Sequence, residues 1–215
     1  NYYPVWSGDG RRIAYSTDRA HQGIFLKNAD GTGEEEPLLP DAQPDLPSDA
    51  SLDGSRLLIT RGFPTTEILT VSMSDRKETP FEPVGSCPVF SPDGRWIAYE
   101  LDDTGSRLQI VVKPASGRGG KVQITSDTGN FPVWTKNGLY FLAKKVMVAD
   151  VQTEPAFKVG PLRELFDMTF DRGSGPLRDY DVSRDGQTFV FLTETSGRVW
   201  KQVDVVLDWA SGLAR

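Results

Sequence analysis

At 215 residues the chain can bury a core without disulfides, and its single cysteine, Cys87, excludes an internal disulfide. A net charge of −6 argues against nonspecific binding to nucleic acid or to an anionic membrane surface. No apolar run reaches the roughly 20 residues of a membrane helix, so we expect no direct membrane insertion.

The clearest local signal is a hairpin turn between Pro88 and Tyr99. Ser91-Pro92-Asp93-Gly94 suits a type I turn, because Ser can bond the backbone two residues on, Pro has its φ preset and Gly tolerates positive φ. Such a turn closed by a left-handed Gly joins antiparallel strands. The flanking residues alternate as in a strand, which predicts that Ile97 and Tyr99 share one face.

This turn recurs five times along the chain. Each copy is a tetrad of a Ser or Thr, any residue, an Asp or Asn, and a Gly. The five copies end at Gly10, Gly54, Gly94, Gly138 and Gly186. The spacing of 44, 40, 44 and 48 residues is the period of four-stranded propeller blades. The sequence therefore predicts blades at about 1–39, 40–82, 83–125, 126–166 and 167–215.

The copies differ in ways that can be read in chain order. An irregular loop is expected from Pro40 to Pro47, before the second copy, and the fourth copy is one residue short after its Gly. The fifth copy ends with one long apolar strand and offers only three strands in all. Trp6, Phe90 and Trp134 hold equivalent positions, and we expect them to fill contacts between blades.

These patterns predict an all-β chain that forms a single β-propeller domain over residues 1–215. It has about five four-stranded blades, or is part of a six- or seven-bladed propeller. A pair of stacked sandwiches is the alternative, which the regular period disfavours. With three strands in the last copy, the ring would be incomplete, and self-association through that blade is expected.

The repeat resembles that of the TolB-like propeller family. The matching segments are Pro4–Ser16 and Pro88–Tyr99, and the turn Lys27–Gly33 is similar to the family's turn between the third and fourth strands. A closer resemblance covers Val148–Phe157, Tyr180–Gln187 and Val205–Trp209. These segments resemble the C-terminal end of large bacterial proteins that carry a propeller behind a serine/threonine kinase or a DNA-binding regulator domain. The resemblance implies a sensory or scaffolding propeller without catalysis of its own.

A search for catalytic and metal-binding groups yields weak candidates. His21 is the only histidine and sits in a predicted loop, and Gly173-Ser174-Gly175 lacks the spacing of a nucleophile elbow. Calcium could use Asp102-Asp103, Glu34–Glu36 or Asp179-x-Asp181, although none has a known loop spacing. Gly117–Gly120 lacks the ending of a phosphate-binding loop. Asp171-Arg172 could form a polar cluster with Arg178-Asp179. We therefore predict no metal, no cofactor and no catalytic residue.

Propeller ligands bind where loops lead into the innermost strands, at the mouth of the central channel. This position, rather than any motif, selects the candidate binding residues. They are Tyr3, Asp49, Cys87, Asn130, Phe131, Arg178 and Asp179.

The sequence favours a non-catalytic module that binds a protein, a peptide or a small polar ligand, as part of a larger bacterial protein. A lyase or hydrolase with an acidic site at the channel mouth is one alternative. A purely structural oligomerisation unit is the other. No nucleic-acid partner is expected. The chain starts at Asn1 without a Met, so a periplasmic or a cytoplasmic location depends on sequence upstream.

Overall fold

The computed structural model describes residues 2–17, 22–40, 45–62, 65–102, 107–167, 178–192 and 203–207, the last range as backbone only. Within these ranges the secondary structure consists of strands and turns, and no helix is long and apolar enough to cross a membrane. The prediction of an all-β chain is confirmed. The chain divides into two compact units, residues 1–128 and residues 129–215.

The first unit holds three four-stranded antiparallel sheets, each built from four strands in chain order. The first sheet contains β1 (Tyr2–Trp6), β2 (Arg12–Thr17), β3 (Gly23–Asn28) and β4 (Glu36–Pro40). The second contains β5 (Asp45–Ala50), β6 (Arg56–Arg61), β7 (Glu67–Ser72) and β8 (Glu78–Glu82). The third contains β9 (Ser86–Phe90), β10 (Trp96–Leu101), β11 (Gln109–Pro114) and β12 (Val122–Gln123).

The second unit holds two further sheets with the same up-and-down order. The fourth sheet contains β13 (Asn130–Thr135), β14 (Gly138–Leu142), β15 (Lys145–Gln152) and β16 (Lys158–Asp167). The fifth contains β17 (Tyr180–Val182), β18 (Thr188–Leu192) and β19 (Val203–Leu207), three strands among the described residues. Five consecutive antiparallel sheets with this strand order confirm a β-propeller fold of about five blades.

The repeated turn forms as the sequence predicts. The Gly94 N–H donates to the Ser91 carbonyl at 2.8 Å, and the Ser91 hydroxyl donates to Asp93 at 2.5 Å. Gly94 has a φ of 68°, a left-handed conformation that favours glycine. In the fourth copy Thr135 pairs directly with Gly138 and Trp134 with Leu139, whereas Trp6 pairs with Ile13 in the first copy, so the fourth turn is two residues shorter rather than one as predicted.

One stretch predicted as a loop is partly a strand. β5 begins at Asp45, inside the segment from Pro40 to Pro47, of which residues 41–44 lie outside the described ranges. Pro47 is tolerated in the strand because the register of the β5–β6 ladder shifts between Pro47 and Asp49. Such an irregularity removes the need for a ladder N–H at the proline.

The core of the first unit lies between consecutive sheets. One cluster joins Ala14, Ile24 and Leu26 of the first sheet to Leu57, Ile59 and other residues of the second. A second cluster joins the opposite face of the second sheet to the third sheet. Ile97 and Tyr99 both belong to it, which confirms their shared face.

The aromatic residues of the first unit do not all fill such contacts. Phe90 is 6% exposed and lies in the second cluster, as predicted, whereas Trp6 is 60% exposed. The prediction for Trp6 is wrong because the first sheet packs on the second through its opposite face, which carries Ala14. In the second unit Trp134 is half-buried and contacts Phe157 edge to face, with ring centroids 6.3 Å apart.

Candidate binding site at the starts of the innermost strands

Each copy begins with its innermost strand, and in the first unit these strands are neighbours. β1 lies beside β5, and β5 lies beside β9. Three of the predicted binding residues, Tyr3, Asp49 and Cys87, are carried by these three strands. The structure therefore brings together, within one unit, residues that are up to 84 positions apart in the sequence.

The seventh residue before the turn glycine has an unusual backbone in three copies. Its φ is 57° at Tyr3, 50° at Cys87 and 52° at Phe131, a left-handed conformation that residues other than glycine seldom adopt. A proline follows each of these residues. The strand pairing is irregular at the same places, between Tyr2 and Val5 in the first copy.

The left-handed conformation at this bulge costs free energy, which other interactions of the folded chain must offset. A left-handed residue without a glycine costs on the order of 1–3 kcal/mol, and such residues cluster at ligand sites. A bulge also re-aims the side chain that it carries. In the second copy the equivalent residue is Pro47, whose ring fixes φ near −65°, so the irregularity between Pro47 and Asp49 forms without a left-handed residue.

Tyr3 and Cys87 are close enough to influence one another. The pKa of the Tyr3 hydroxyl is raised, first by burial, then by the neighbouring Cys87 thiol and then by Tyr2. The Tyr2 and Tyr3 rings meet edge to face with centroids 5.6 Å apart. Cys87 is half-buried. The start of β1 thus carries aromatic rings and the start of β9 a half-buried thiol, groups that suit an apolar or amide-bearing ligand.

The acidic groups on these strands are engaged in structural contacts. One carboxylate oxygen of Asp49 accepts a hydrogen bond of 2.7 Å from the Phe90 N–H and so links β5 to β9. Asp45, with a fully buried carboxylate, accepts two bonds from Arg61 at 2.8 and 2.6 Å. These two bonds, and a third to Glu78, raise the pKa of the Arg61 guanidinium.

The turn aspartates are also accounted for. In the second copy Ser51 and the Ser55 backbone donate to Asp53 and lower the pKa of its carboxyl to about 2. The equivalent residues Asp9 and Asp185 have lowered pKa values for the same reason, a bond from the turn serine first and from the backbone second. These acids stabilise turns.

A buried carboxylate that the sequence did not single out lies beside Cys87. Glu100, near the end of β10, is 3% exposed and accepts a hydrogen bond of 2.7 Å from the Ser86 hydroxyl. The pairing of Ser86 with Glu100 across the bulge brings the two together. The only sequence signal would have been the position of Glu100 at the end of a second strand that is otherwise apolar.

In the second unit the predicted residues are arranged differently. Phe131 is only 5% exposed, and its carbonyl accepts a bond of 2.7 Å from the Tyr180 hydroxyl. Asn130 and Asp179 are half-buried and Arg178 is exposed. The Asp179 carbonyl accepts a bond from the Leu192 N–H at 2.7 Å, which fixes the start of β17. Phe131 therefore serves packing here rather than an open surface.

The remaining candidates contribute little to a site. His21, Asp103, Asp171-Arg172 and Gly173–Gly175 lie outside the described residues. In the described part of the chain, no three His, Cys, Asp or Glu side chains form a group that could hold a metal ion. Glu36 pairs with Arg12 and Arg76 on the outer strand. Gly117 closes a turn between β11 and β12, as the hairpin interpretation predicts.

No protein-family model and no curated protein matches the chain. TolB from Acinetobacter baumannii is similar, with a TM-score of 0.69 and 21% identity over 96% of this chain and 51% of TolB. Oligogalacturonate lyase in complex with manganese has a TM-score of 0.65 and 13% identity, over 99% of this chain and 63% of that chain. A nidogen/laminin complex has a TM-score of 0.54 and 12% identity, over 68% and 58% respectively.

The chain spans about half the length of TolB. Identities below 25% establish the fold alone, and that fold is hosted by proteins with and without catalytic activity. The chain has the β-propeller fold that is found in TolB-like proteins.

Proposed function

We propose that the chain is a non-catalytic binding module that takes a peptide, or an extended segment of a protein, at the starts of β1 and β9. The observation that carries this proposal is the strained bulge at Tyr3 and at Cys87, two equivalent positions on the innermost strands β1 and β9. A small polar ligand would use the same patch. Strain that recurs where side chains converge is expected of a preorganised site.

Binding is favoured over catalysis by the engagement of the nearby acids. A lyase or hydrolase with an acidic site would need carboxylates that face its substrate. Asp45 is paired with Arg61, Asp49 bonds the backbone of Phe90 and Glu100 bonds Ser86. The Tyr2 and Tyr3 rings offer the kind of aromatic surface that recognises peptides well.

The comparisons and the sequence support a role within a larger protein. The nidogen chain of similar fold was solved in a complex with laminin. The resemblance of the C-terminal half to propellers that follow a kinase or regulator domain favours a sensory or scaffolding role. In that arrangement the module would recognise a partner and the neighbouring domain would respond.

A peptide-display experiment tests the proposal. Random 12-residue peptides are selected on the wild-type chain, and their binding to the wild type and to each variant is measured by fluorescence with the dye on the peptide. Tyr3→Ala and Cys87→Gly should each weaken binding at least tenfold. Because glycine adopts positive φ without strain, Cys87→Gly should leave the free energy of unfolding unchanged or raise it by up to about 1 kcal/mol.

Arg76→Ala is the matched control. Arg76 also has a positive φ, 58°, but lies in the turn between β7 and β8, away from the innermost strands. The Arg76→Ala variant should bind the selected peptides with the same affinity as the wild type. Failure to select any peptide, or equal affinity in Tyr3→Ala and the wild type, would overturn the proposal.

A further inference from the structure

The fourth turn differs chemically from the other four at one position. Four copies carry an aspartate directly before the turn glycine, namely Asp9, Asp53, Asp93 and Asp185. The fourth copy carries Asn137 instead, and Asn137 is the only asparagine of the sequence that a glycine follows. A glycine has no Cβ and so leaves its own peptide nitrogen unshielded. The fourth turn therefore places a neutral side-chain amide beside an accessible backbone nitrogen.

The equivalent aspartates are held as ionised acceptors within their own turns. The Asp185 carboxylate accepts hydrogen bonds of 2.5 Å from the Ser183 hydroxyl and 3.1 Å from the Gln187 N–H. These two bonds, in that order of importance, lower the pKa of the Asp185 carboxyl. An ionised carboxylate resists attack by a peptide nitrogen, because it already carries a negative charge and lacks a good leaving group. The amide of Asn137 is neutral, and its nitrogen can leave as ammonia.

The Asn137 side chain reaches out of its own turn to the turn of the fifth sheet. Its Nδ2 donates a hydrogen bond of 2.5 Å to the carbonyl of Asp185, within the same compact unit. The Asn137 backbone N–H donates to the Thr135 hydroxyl at 3.0 Å. Asn137 is exposed, so water reaches it. The amide that can react is therefore also a group that connects two neighbouring sheets.

The glycine beside Asn137 cannot be exchanged for a shielding residue. Gly138 has a φ of 141°, and a Cβ placed on it would lie 2.6 Å from the carbonyl oxygen of Ala149 on β15. Thr135 pairs with Gly138 across the hairpin, so that Lys136 and Asn137 alone form the loop. The tight turn thus requires a glycine directly after the asparagine.

We propose that Asn137 is a site of spontaneous deamidation, which releases the contact between the fourth and fifth turns. The Gly138 nitrogen attacks Cγ of Asn137, the Cγ–Nδ2 bond breaks, and the proton of the attacking nitrogen passes through solvent to the leaving ammonia. The product is a succinimide ring. Water then adds to one of the two ring carbonyls and opens the ring to an aspartate or an isoaspartate. Water is the only co-reactant, so the proposal does not depend on peptide binding at β1 and β9.

Both products break the contact with the fifth turn. An ionised aspartate only accepts hydrogen bonds, so it cannot donate to the Asp185 carbonyl. It also adds a negative charge beside Asp185, whose lowered pKa keeps its own carboxylate ionised at neutral pH. An isoaspartate lengthens the backbone by one carbon, and the strand register depends on the length of the turn. Each product should therefore weaken the attachment of the fifth sheet to the fourth.

Mass spectrometry of the full chain measures the reaction. The protein is kept at mildly alkaline pH and digested after increasing times, and a sample digested at once corrects for conversion during digestion. Asn137 should be converted at least ten times faster than Asn28 and Asn130, which are followed by alanine and phenylalanine. Asn137→Gln is the matched control, because its longer side chain would have to close a larger and less favourable ring. Isoaspartate methyltransferase should label the aged wild type at this turn, but not Asn137→Gln.

The variant Asn137→Asp reproduces one product and tests the consequence. Relative to freshly prepared wild type, its urea midpoint should be lower by about 0.4 M, as expected for the loss of one hydrogen bond. Asn137→Gln keeps an amide donor and should lose less. The midpoint of the aged wild type should move toward that of Asn137→Asp as conversion proceeds.

Three results would overturn this inference. Conversion of a linear peptide of residues 132–142, but not of the folded chain over the same period, would mean that the turn prevents the attack. Equal rates at Asn28, Asn130 and Asn137 would mean that Gly138 does not select the site. Unfolding of Asn137→Asp at the wild-type midpoint would mean that deamidation does not release the contact with the fifth turn.

Discussion

Replacing Asp49 with alanine should destabilise the first unit. Asp49 was predicted from its position to be a binding residue, yet its carboxylate accepts a bond of 2.7 Å from the Phe90 N–H. The bond connects β5 to β9 and fixes the strand that carries both Phe90 and Cys87. The substitution removes the acceptor and leaves a backbone donor beside a largely buried residue.

The size of the effect follows from the type of bond. A hydrogen bond to a charged group contributes about 1.5–3 kcal/mol net, and an abandoned buried donor costs a similar amount. We expect Asp49→Ala to lower the free energy of unfolding by about 2 kcal/mol. Asp49→Asn keeps an acceptor oxygen but loses the charge, so it should cost about 1 kcal/mol.

Urea unfolding followed by tryptophan fluorescence measures the change. With a urea dependence of about 2.5 kcal/mol/M, a loss of 2 kcal/mol lowers the midpoint by about 0.8 M. Asp181→Ala is the matched control, because Asp181 holds the equivalent position in the fifth copy but is exposed and accepts a hydrogen bond from the N–H of the next residue, Val182. It should change stability by less than about 0.5 kcal/mol.

The reasoning fails if Asp49→Ala unfolds at the wild-type urea midpoint. If that variant also loses affinity for peptides selected on the wild-type chain, Asp49 is a ligand-contacting group, as its position in the sequence first suggested. If stability and peptide affinity fall together, the hydrogen bond to Phe90 positions the start of β9.

Three further substitutions test the packing and the electrostatics, each by urea unfolding. Ala50 lines a narrow apolar gap between the first two sheets that has no room for an aromatic ring, so Ala50→Phe should cost about 1–3 kcal/mol through overpacking, and an unchanged or raised urea midpoint would contradict this. Glu82→Ala removes the carboxylate partner of the largely buried Lys113 and should cost about 3 kcal/mol. The exposed Glu164→Ala should cost less than about 0.5 kcal/mol. Because its pKa is lowered to about 2, the Asp53 carboxylate stabilises the folded chain above pH 4 and loses this contribution as the pH falls toward 2. Between pH 4 and pH 2 the free energy of unfolding of the wild type should fall by about 1 kcal/mol more than that of Asp53→Asn. Parallel pH profiles of the two proteins would contradict this.

Much of the fold could be predicted because its signals are local. Ser91-Pro92-Asp93-Gly94 closes its turn through bonds within six residues, and the alternation after it places Ile97 and Tyr99 on one face. Repetition of such a unit at a blade-like spacing is sufficient to predict the architecture. The count also indicated a short fourth turn at Gly138, although the strand register shows it to be shorter by two residues rather than one.

The candidate site could be predicted only as a set of positions. Asp49 accepts a hydrogen bond from Phe90, which lies 41 positions away in the sequence. Phe131 accepts one from Tyr180, which lies 49 positions away. Trp6 and Phe90 were indistinguishable as sequence, since both precede the same turn. Their different exposure reflects which face of a sheet has a neighbour, a property of the assembled unit.

The amino-acid sequence alone determines where each hairpin turns and which side of each strand is apolar, because turn geometry and strand alternation depend on near neighbours. The tertiary structure alone decides which polar groups remain for a partner. A hydrogen bond between strands of different copies engages the acid at Asp49, and Arg61 of the neighbouring strand engages the acid at Asp45, while the bulges at Tyr3 and Cys87 interrupt the innermost strands that carry an aromatic ring and a thiol. Function therefore depends on the contacts between repeats, which no single repeat specifies.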